Sequence, residues 1–177
     1  MDYLGKYSIK FEGLEEGVHN FEFDINDKFF SNIEYSEIKK GELKVHVVLK
    51  KSSLLMSLDI AIDGKVRVAC DRCTDEFDMP VEFNGSLFVK FSEERDSLDD
   101  NVIVLSNSDN EINIAHYLYE SINLSLPLRR VHPDDDEGNS TCNPEMLEDI
   151  EEKSVNSEER TDPRWDRLKD LMANKNK

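Results

Sequence analysis

Apolar and polar residues alternate along residues 43–49, 54–62 and 81–91. A period of two residues is typical of a β-strand that buries one face. Because short segments separate these stretches, consecutive strands should pair antiparallel as a meander, and such a sheet needs a second layer or closure to bury its apolar face. The sequence therefore predicts an α+β fold that is mainly antiparallel β: a curved meander sheet, a small sandwich or an open barrel, with one packed helix and a short C-terminal helix.

Two turns are predicted within this β-rich part. Residues 9–11 and 21–25 both alternate, and they flank a turn at residues 13–17, which predicts an N-terminal hairpin. Asp63-Gly64 is a dipeptide that favours tight primed turns. We therefore expect a second hairpin to reverse at this dipeptide.

The hydrophobic period changes after Asn113. Ile114, Leu118 and Ile122 recur at the spacing of one helical face, and Asn113 is suited to cap the start of the helix. Pro127 should end the helical unit because proline cannot continue it. One packed helix is thus predicted beside the sheet.

Charge divides the chain into regions. Residues 1–131 are predicted to form the antiparallel β-rich domain with its helix. Residues 132–160 hold eleven acidic and two basic residues, a composition that favours a flexible segment. Residues 161–177 are predicted to form a short amphipathic helix.

The whole chain is strongly acidic, with 22 basic and 39 acidic residues and a net charge of −17. Such a protein is repelled by a bare phosphate backbone, so extensive nucleic-acid binding is disfavoured and a basic protein is the natural partner. The alternative is that the charge only keeps the chain soluble. The odd cysteine count, the N-terminus without an apolar segment and the lack of any long apolar run predict a cytoplasmic protein with reduced cysteines and no membrane span.

The Cys70-x-x-Cys73 motif brings two thiols within reach of one metal ion or of each other. A metal site needs two further ligands, and Cys142 and His132 are the candidates, with His116 as a substitute. This set predicts a zinc site. The alternative is that the cysteines are ordinary reduced thiols.

A thiol redox function is also possible for a CxxC motif, but the surrounding sequence disfavours it. Redox motifs of this kind lie where a strand runs into a helix N-terminus, which lowers the pKa of the attacking thiol. Here the alternating residues before Cys70 and the three acidic residues within residues 74–79 predict a turn between two strands. Nearby carboxylates should raise the pKa of the thiols.

The C-terminal segment has the signals of a short amphipathic helix. Asp162 suits the N-cap, Pro163 the first helical position, and Trp165 and Leu168 share one face. A helix this short must dock, either on the body of the protein or in the groove of a partner. The residues predicted to contact a partner are Arg164, Trp165, Leu168, Arg129 and Arg130.

Arg129 and Arg130 form an adjacent basic pair on an otherwise acidic chain. Such a pair can be solvated turn charge, or it can form a small patch that contacts phosphate groups. Any RNA contact by this protein is therefore expected to be indirect or limited.

Three motifs in this order resemble the bacterial YceD family. They are Val-x-Cys-x-Arg-Cys at residues 68–73, the phrase Tyr-Glu-Ser-Ile-Asn-Leu-Ser-Leu-Pro at residues 119–127, and Asp-Pro-Arg-Trp at residues 162–165. The resemblance spans nearly the whole chain. It implies a role in biogenesis of the large ribosomal subunit, since members are linked to accumulation of 23S ribosomal RNA and plastid relatives to processing of the equivalent RNA.

The resemblance also implies a cysteine cluster after the Leu-Pro phrase, from which this chain departs. His132 and Asp136 stand at the expected positions of the first two thiols, Cys142 lies near a third, and Glu145 replaces its CxxC partner. Two possibilities follow: a site formed by both CxxC thiols with Cys142 and His132, or loss of the metal in this chain.

The leading hypothesis is a non-enzymatic factor for large-subunit biogenesis that contacts basic ribosomal proteins or the precursor particle. Its acidic segment would shield a basic protein until that protein is delivered to RNA. One alternative is a catalyst, either a thiol oxidoreductase or a nuclease, although no His and carboxylate arrangement resembling a metal-dependent nuclease is found. Another is an acidic interaction protein unrelated to ribosomes.

Overall fold

The computed structural model describes residues 3–53, 55–92 and 101–154. The chain divides into two units, Met1–His132 and Pro133–Lys177. The first begins with a 3₁₀ helix at Tyr3–Tyr7. Its further elements are β1 (Ser8–Lys10), β2 (Gly17–Ile25), α1 (Asp27–Ser31), β3 (Lys40–Lys51), β4 (Met56–Ala69), β5 (Glu76–Phe91), β6 (Val102–Leu105), β7 (Glu111–Asn113) and α2 (Ala115–Ser125).

A five-stranded sheet in the order β2-β3-β4-β5-β6 forms the body of the first unit. β2 to β5 pair antiparallel in succession, whereas β6 runs parallel to the last four residues of β5. Among the described strands the sheet does not close into a barrel. The predicted α+β fold with a mainly antiparallel meander is confirmed.

The predicted N-terminal hairpin is wrong. β1 pairs with β7, bringing Ile9 opposite Ile112, and β2 pairs with β3 along its whole length. The backbone N–H groups of Phe11 and Glu12 both donate to the carbonyl of Asn110, at 3.1 and 3.3 Å, and so direct the chain towards β7. Since Ile9 and Ile112 are both buried, a short strand is stabilised by a partner that is remote in sequence.

The predicted turn at Asp63-Gly64 is also wrong, because β4 continues through this dipeptide. Gly64 lies opposite Leu43 of β3 and Val81 of β5. Its φ angle is +150°, and a Cβ atom at this position would lie 2.7 Å from the Cα atom of Leu43. The glycine is therefore needed for the close approach of β3 within a long strand.

The inner face of the sheet carries the apolar core, and the predicted helix packs with it. In α2, Leu118 and Ile122 are fully buried, as the helical spacing predicted. The N-cap of α2 is Ile114 and not the predicted Asn113, although the side chain of Asn113 accepts a hydrogen bond from the N–H of Ala115 at 3.0 Å. The helix ends at Ser125, two residues before Pro127.

The described part of the second unit contains one helix, α3 (Pro144–Lys153), which the sequence analysis did not predict. Asn143 is its N-cap and accepts a hydrogen bond from the N–H of Glu145 at 3.1 Å. Lys153 and Asp149 form an ion pair at 2.9 Å. No residue of α3 is fully buried, and Met146 and Leu147 are half-buried.

The predicted C-terminal helix at residues 161–177 lies outside the described residues. Within the described ranges, none of the helices combines the length and hydrophobicity that crossing a bilayer requires.

Candidate metal centre

The CxxC motif occupies the turn between β4 and β5. The N–H of Cys70 donates to the carbonyl of Asp75, and the N–H of Thr74 donates to the carbonyl of Cys70, each at 2.9 Å. Thr74 adopts a φ angle of +64°, which closes the turn. A strand follows Cys73 and not a helix, so the setting typical of a thioredoxin-like redox motif is missing here, as predicted.

Asp71 holds a distant segment beside this turn. Its backbone N–H donates to the carbonyl of Arg130 at 2.7 Å, and its carboxylate accepts the N–H of Arg130 at 2.6 Å. The guanidinium of Arg130 also approaches Asp71 and Glu37, at 3.8 and 3.7 Å. These contacts fix the backbone two residues before His132, and no sequence pattern links positions 71 and 130.

His132 faces the motif. Its Nδ1 atom lies 3.5 Å from the sulfur of Cys73, and its ring packs on Phe77, with centroids 4.5 Å apart and an angle of 32° between the planes. Phe77, which the sequence analysis did not single out, thus orients the imidazole. His116 is not part of this cluster, because its exposed side chain on α2 pairs with Glu120.

The ligand atoms of Cys70, Cys73 and His132 lie within 4.8 Å of one another. Zinc bonds of about 2.3 Å to sulfur and 2.0 Å to nitrogen place tetrahedral ligand atoms about 3.8 Å apart or less, so a contraction of about 1 Å would suffice. Both thiols are buried. These three residues fit part of a structural zinc site, whose donors are thiolate and imidazole groups.

The pKa of Cys70 is lowered to about 6. Burial alone would raise it, but backbone N–H groups of Cys73, Arg72 and His132 and the imidazole of His132 interact with the sulfur and favour the thiolate. The expectation that nearby carboxylates raise the pKa of this thiol is therefore wrong, since these direct donors outweigh them. A thiolate is the form that binds a metal.

The remaining predicted site residues belong to other segments of the chain. Cys142 belongs to the second unit, where it is buried and directly precedes the N-cap of α3. Arg129 is exposed, whereas Arg130 is half-buried by its contacts with Asp71 and Glu37. The remaining predicted partner contacts, Arg164, Trp165 and Leu168, lie outside the described residues.

Comparison with protein families decides the relationship. Residues 58–172 match the family described as large ribosomal RNA subunit accumulation protein YceD. This chain belongs to the YceD family. The suspected relationship is thus confirmed, and the family's description connects it with accumulation of the large ribosomal RNA subunit. No curated protein and no solved structure matches the chain.

Proposed function

We propose that this YceD-family protein is a non-enzymatic factor for large-subunit biogenesis that supports accumulation, processing or stability of 23S ribosomal RNA. The observation that carries the proposal is the family match over residues 58–172. The protein acts by contacts with basic ribosomal proteins or with the precursor particle. RNA contact is indirect or limited, because a net charge of −17 opposes binding to a phosphate backbone.

The acidic residues of α3 are proposed to take part in these contacts. Five carboxylates between Glu145 and Glu152 are exposed on this short helix, and they can attract a basic protein while repelling RNA. Arg129 and the C-terminal residues Arg164, Trp165 and Leu168 are proposed as further contacts from the sequence.

Sedimentation of tagged protein through a density gradient tests this function. We expect co-migration with immature large-subunit particles at low salt and its loss at moderate salt, because screening weakens contacts between exposed charges. Two results together would refute the function. Wild-type protein stays at the top of the gradient under both conditions, and deletion of its gene leaves the level of 23S ribosomal RNA unchanged.

A charge variant separates the acidic helix from overall acidity. Replacing the five acidic residues of α3 by their amides should reduce co-migration. The matched control replaces the five acidic side chains within the segment 93–100 by their amides. It changes the net charge by the same amount as the α3 variant. If both variants co-migrate like the wild type, α3 does not contact the partner.

The buried cysteines and His132 are proposed to hold one structural zinc ion, with Cys142 as the fourth ligand. Support comes from the 3.5 Å approach of His132 to Cys73 and from the lowered pKa of Cys70. Four protein ligands would leave no open position, which is typical of structural sites and not of catalytic ones. Zinc binding would then contribute to the free energy of folding.

Metal analysis of purified protein tests the zinc site. We expect one zinc per wild-type chain, the same content in His116→Asn, and almost none in His132→Asn. Circular dichroism of the metal-free wild type shows whether loss of metal and loss of fold coincide. Equal zinc in both histidine variants would exclude His132 as a ligand.

A thiol redox function is the second candidate, favoured by the lowered pKa of Cys70. It predicts that the variant with both Cys70 and Cys73 changed to serine loses disulfide reductase activity towards a model disulfide protein. The assembly function instead predicts that the wild type has no such activity.

A further inference from the structure

β2 lies at the end of the five-stranded sheet, and no strand in the described part of the chain pairs with its outer edge. An open edge presents a row of backbone donors and acceptors that can pair with an added strand. β2 is nine residues long and continuous, which is long for an edge that is left open.

The backbone groups at this edge can be assigned from one hydrogen bond. The carbonyl of Asp24 accepts the hydroxyl of Tyr7 at 3.0 Å, so it is directed away from β3. Backbone groups alternate along a strand. Val18, Asn20 and Glu22 therefore direct their N–H and C=O groups outwards like Asp24, and their side chains are exposed.

The two faces of the edge differ in chemistry. Phe21 and Phe23 point towards the core and stay half-buried at the edge. On the outer face, Val18 is 63% exposed. It is followed on the same face by Asn20, Glu22 and Asp24. A strand added here would meet aromatic rings on one face and carboxylates on the other.

Charge at this edge selects the occupant. Residues 11–27 contain six acidic residues and neither lysine nor arginine. On the β3 side, Glu22 contacts His46 at 3.4 Å and Asp24 lies opposite Lys44, which leaves the outer side of both carboxylates to an added strand. A second copy of β2 would add further carboxylates to this acidic segment, which is unfavourable, whereas lysine or arginine opposite Glu22 and Asp24 is favourable. Polar edge residues also protect against self-association, in agreement with this preference.

We infer that the open edge of β2 binds, by strand addition, an extended segment of a partner protein in which lysine or arginine alternates with apolar residues. The cationic side chains lie beside Glu22 and Asp24, and the apolar ones pack on Phe21 and Phe23. This inference rests on the proposed function, because it gives the basic protein partner a defined docking position. The segment pairs with the outward groups of Val18, Asn20 and Glu22, because the carbonyl of Asp24 already accepts hydrogen bonds from Tyr7 and Lys6.

Binding of a synthetic peptide to the full chain tests the edge. The probe is a fluorescent nine-residue peptide that alternates arginine with valine, matched in length to β2, and fluorescence anisotropy gives Kd. A peptide that alternates glutamate with valine is the sequence control and should bind at least about tenfold more weakly. Equal binding of the two peptides overturns the inference.

Asn20→Pro is the decisive variant, because it removes an outward N–H group without removing a donor to β3. We expect the Kd of the arginine peptide to rise about tenfold, from the lost hydrogen bond and the steric block. Asn84→Pro is the matched control. Asn84 is an exposed asparagine of β5 and has the same orientation in the strand as Pro80. Since β5 already contains a proline in this orientation, Asn84→Pro should be tolerated.

Each outcome decides. Weakened binding in Asn20→Pro with unchanged binding in Asn84→Pro supports the β2 edge, provided that circular dichroism shows both variants folded. If Asn20→Pro does not fold, Glu22→Lys against Glu82→Lys makes the same comparison through charge. Equal effects at the two positions overturn the inference. A concentration-dependent dimer that only the β2 variant abolishes identifies a second copy as the occupant and also overturns it.

The gradient experiment keeps this inference separate from the proposed function. If wild-type protein and Asn20→Pro both co-migrate with large-subunit precursors, the function stands and the β2 edge is not the docking position. If the wild type never co-migrates but the edge still distinguishes the two peptides, strand addition stands and the ribosomal function fails.

Discussion

Different interactions stabilise the first unit and residues 133–154, which are the described part of the second unit. The first unit buries the inner faces of long strands and of α2 around one apolar core. In the described part of the second, Cys142 is the one buried side chain, and α3 buries none. Exposed ion pairs and helix caps contribute little compared with burial. Burial accounts for the first fold, whereas residues 133–154 bury little, and we propose zinc as their further constraint.

The largest expected effect is that of Leu58→Ala in the first unit. Leu58 is fully buried on β4, so the change should lower the free energy of unfolding by about 3 kcal/mol. Ile150→Ala on α3, where the side chain is 44% exposed, should change it by less than about 0.5 kcal/mol. Urea denaturation measures both values, and similar losses would contradict the contrast between the units.

Removing zinc should affect the two units unequally. With a strong chelator, we expect amide exchange in residues 133–154 to become at least about tenfold faster, because few buried apolar contacts remain there. The central strands β3 and β4 should keep their protection. Hydrogen–deuterium exchange followed by mass spectrometry gives both rates. Unchanged exchange in residues 133–154 would show that metal does not order the second unit.

The thiol of Cys70 should make the stability of the metal-free first unit depend on pH. Its pKa is about 6 when folded and about 8.5 in an unfolded chain. A lowered pKa means that the folded state binds fewer protons, so this contribution is complete above about pH 8.5 and is lost as the pH falls through 6.

Thiolate absorbance should therefore titrate near pH 6, and urea unfolding should show stability rising between pH 6 and 8. Cys70→Ser should remove this part of the pH dependence. The same profile in Cys70→Ser as in the wild type would show that another group titrates.

The smallest expected effect compares two helix caps. Asn143 and Asn26 each accept a backbone N–H at 3.1 Å, at the start of α3 and α1. Replacement of either by alanine should cost about 1 kcal/mol. For Asn26→Ala the loss should appear in global unfolding, whereas for Asn143→Ala it should appear only as faster amide exchange within α3. A lowered global midpoint for Asn143→Ala would mean that the two units unfold together.

Strands and helices were predicted correctly where residues nearby in the sequence decide the local structure. The alternation between residues 43 and 91 identified β3 to β5, and the spacing of Leu118 and Ile122 identified α2. The predictions failed where a distant strand decides. Gly64 suggested a turn, but the approach of β3 keeps it in a strand, and residues 8–10 pair with β7 and not with their sequence neighbour β2.

Part of the candidate site could also be predicted. The spacing of a CxxC motif brings its two thiols within reach of one ion. Cys70 and Cys73 could therefore be predicted as a pair of candidate ligands from the sequence alone. The sequence also favoured His132, with His116 as a substitute, but how His132 reaches the motif depends on the hydrogen bonds between Asp71 and Arg130 and on the packing on Phe77. The direction of the pKa shift at Cys70 could not be predicted either, because backbone N–H donors have no signature in a sequence.

The sequence by itself determined the strand and helix periods, the acidic balance and the family, since each is a property of local order or composition. Tertiary structure alone decided which edges remain open, how His132 is held beside the thiols and where β1 pairs. The physical reason is that these features arise from contacts between segments separated by tens of residues. Their free energy depends on the packing of the whole unit and not on local preference.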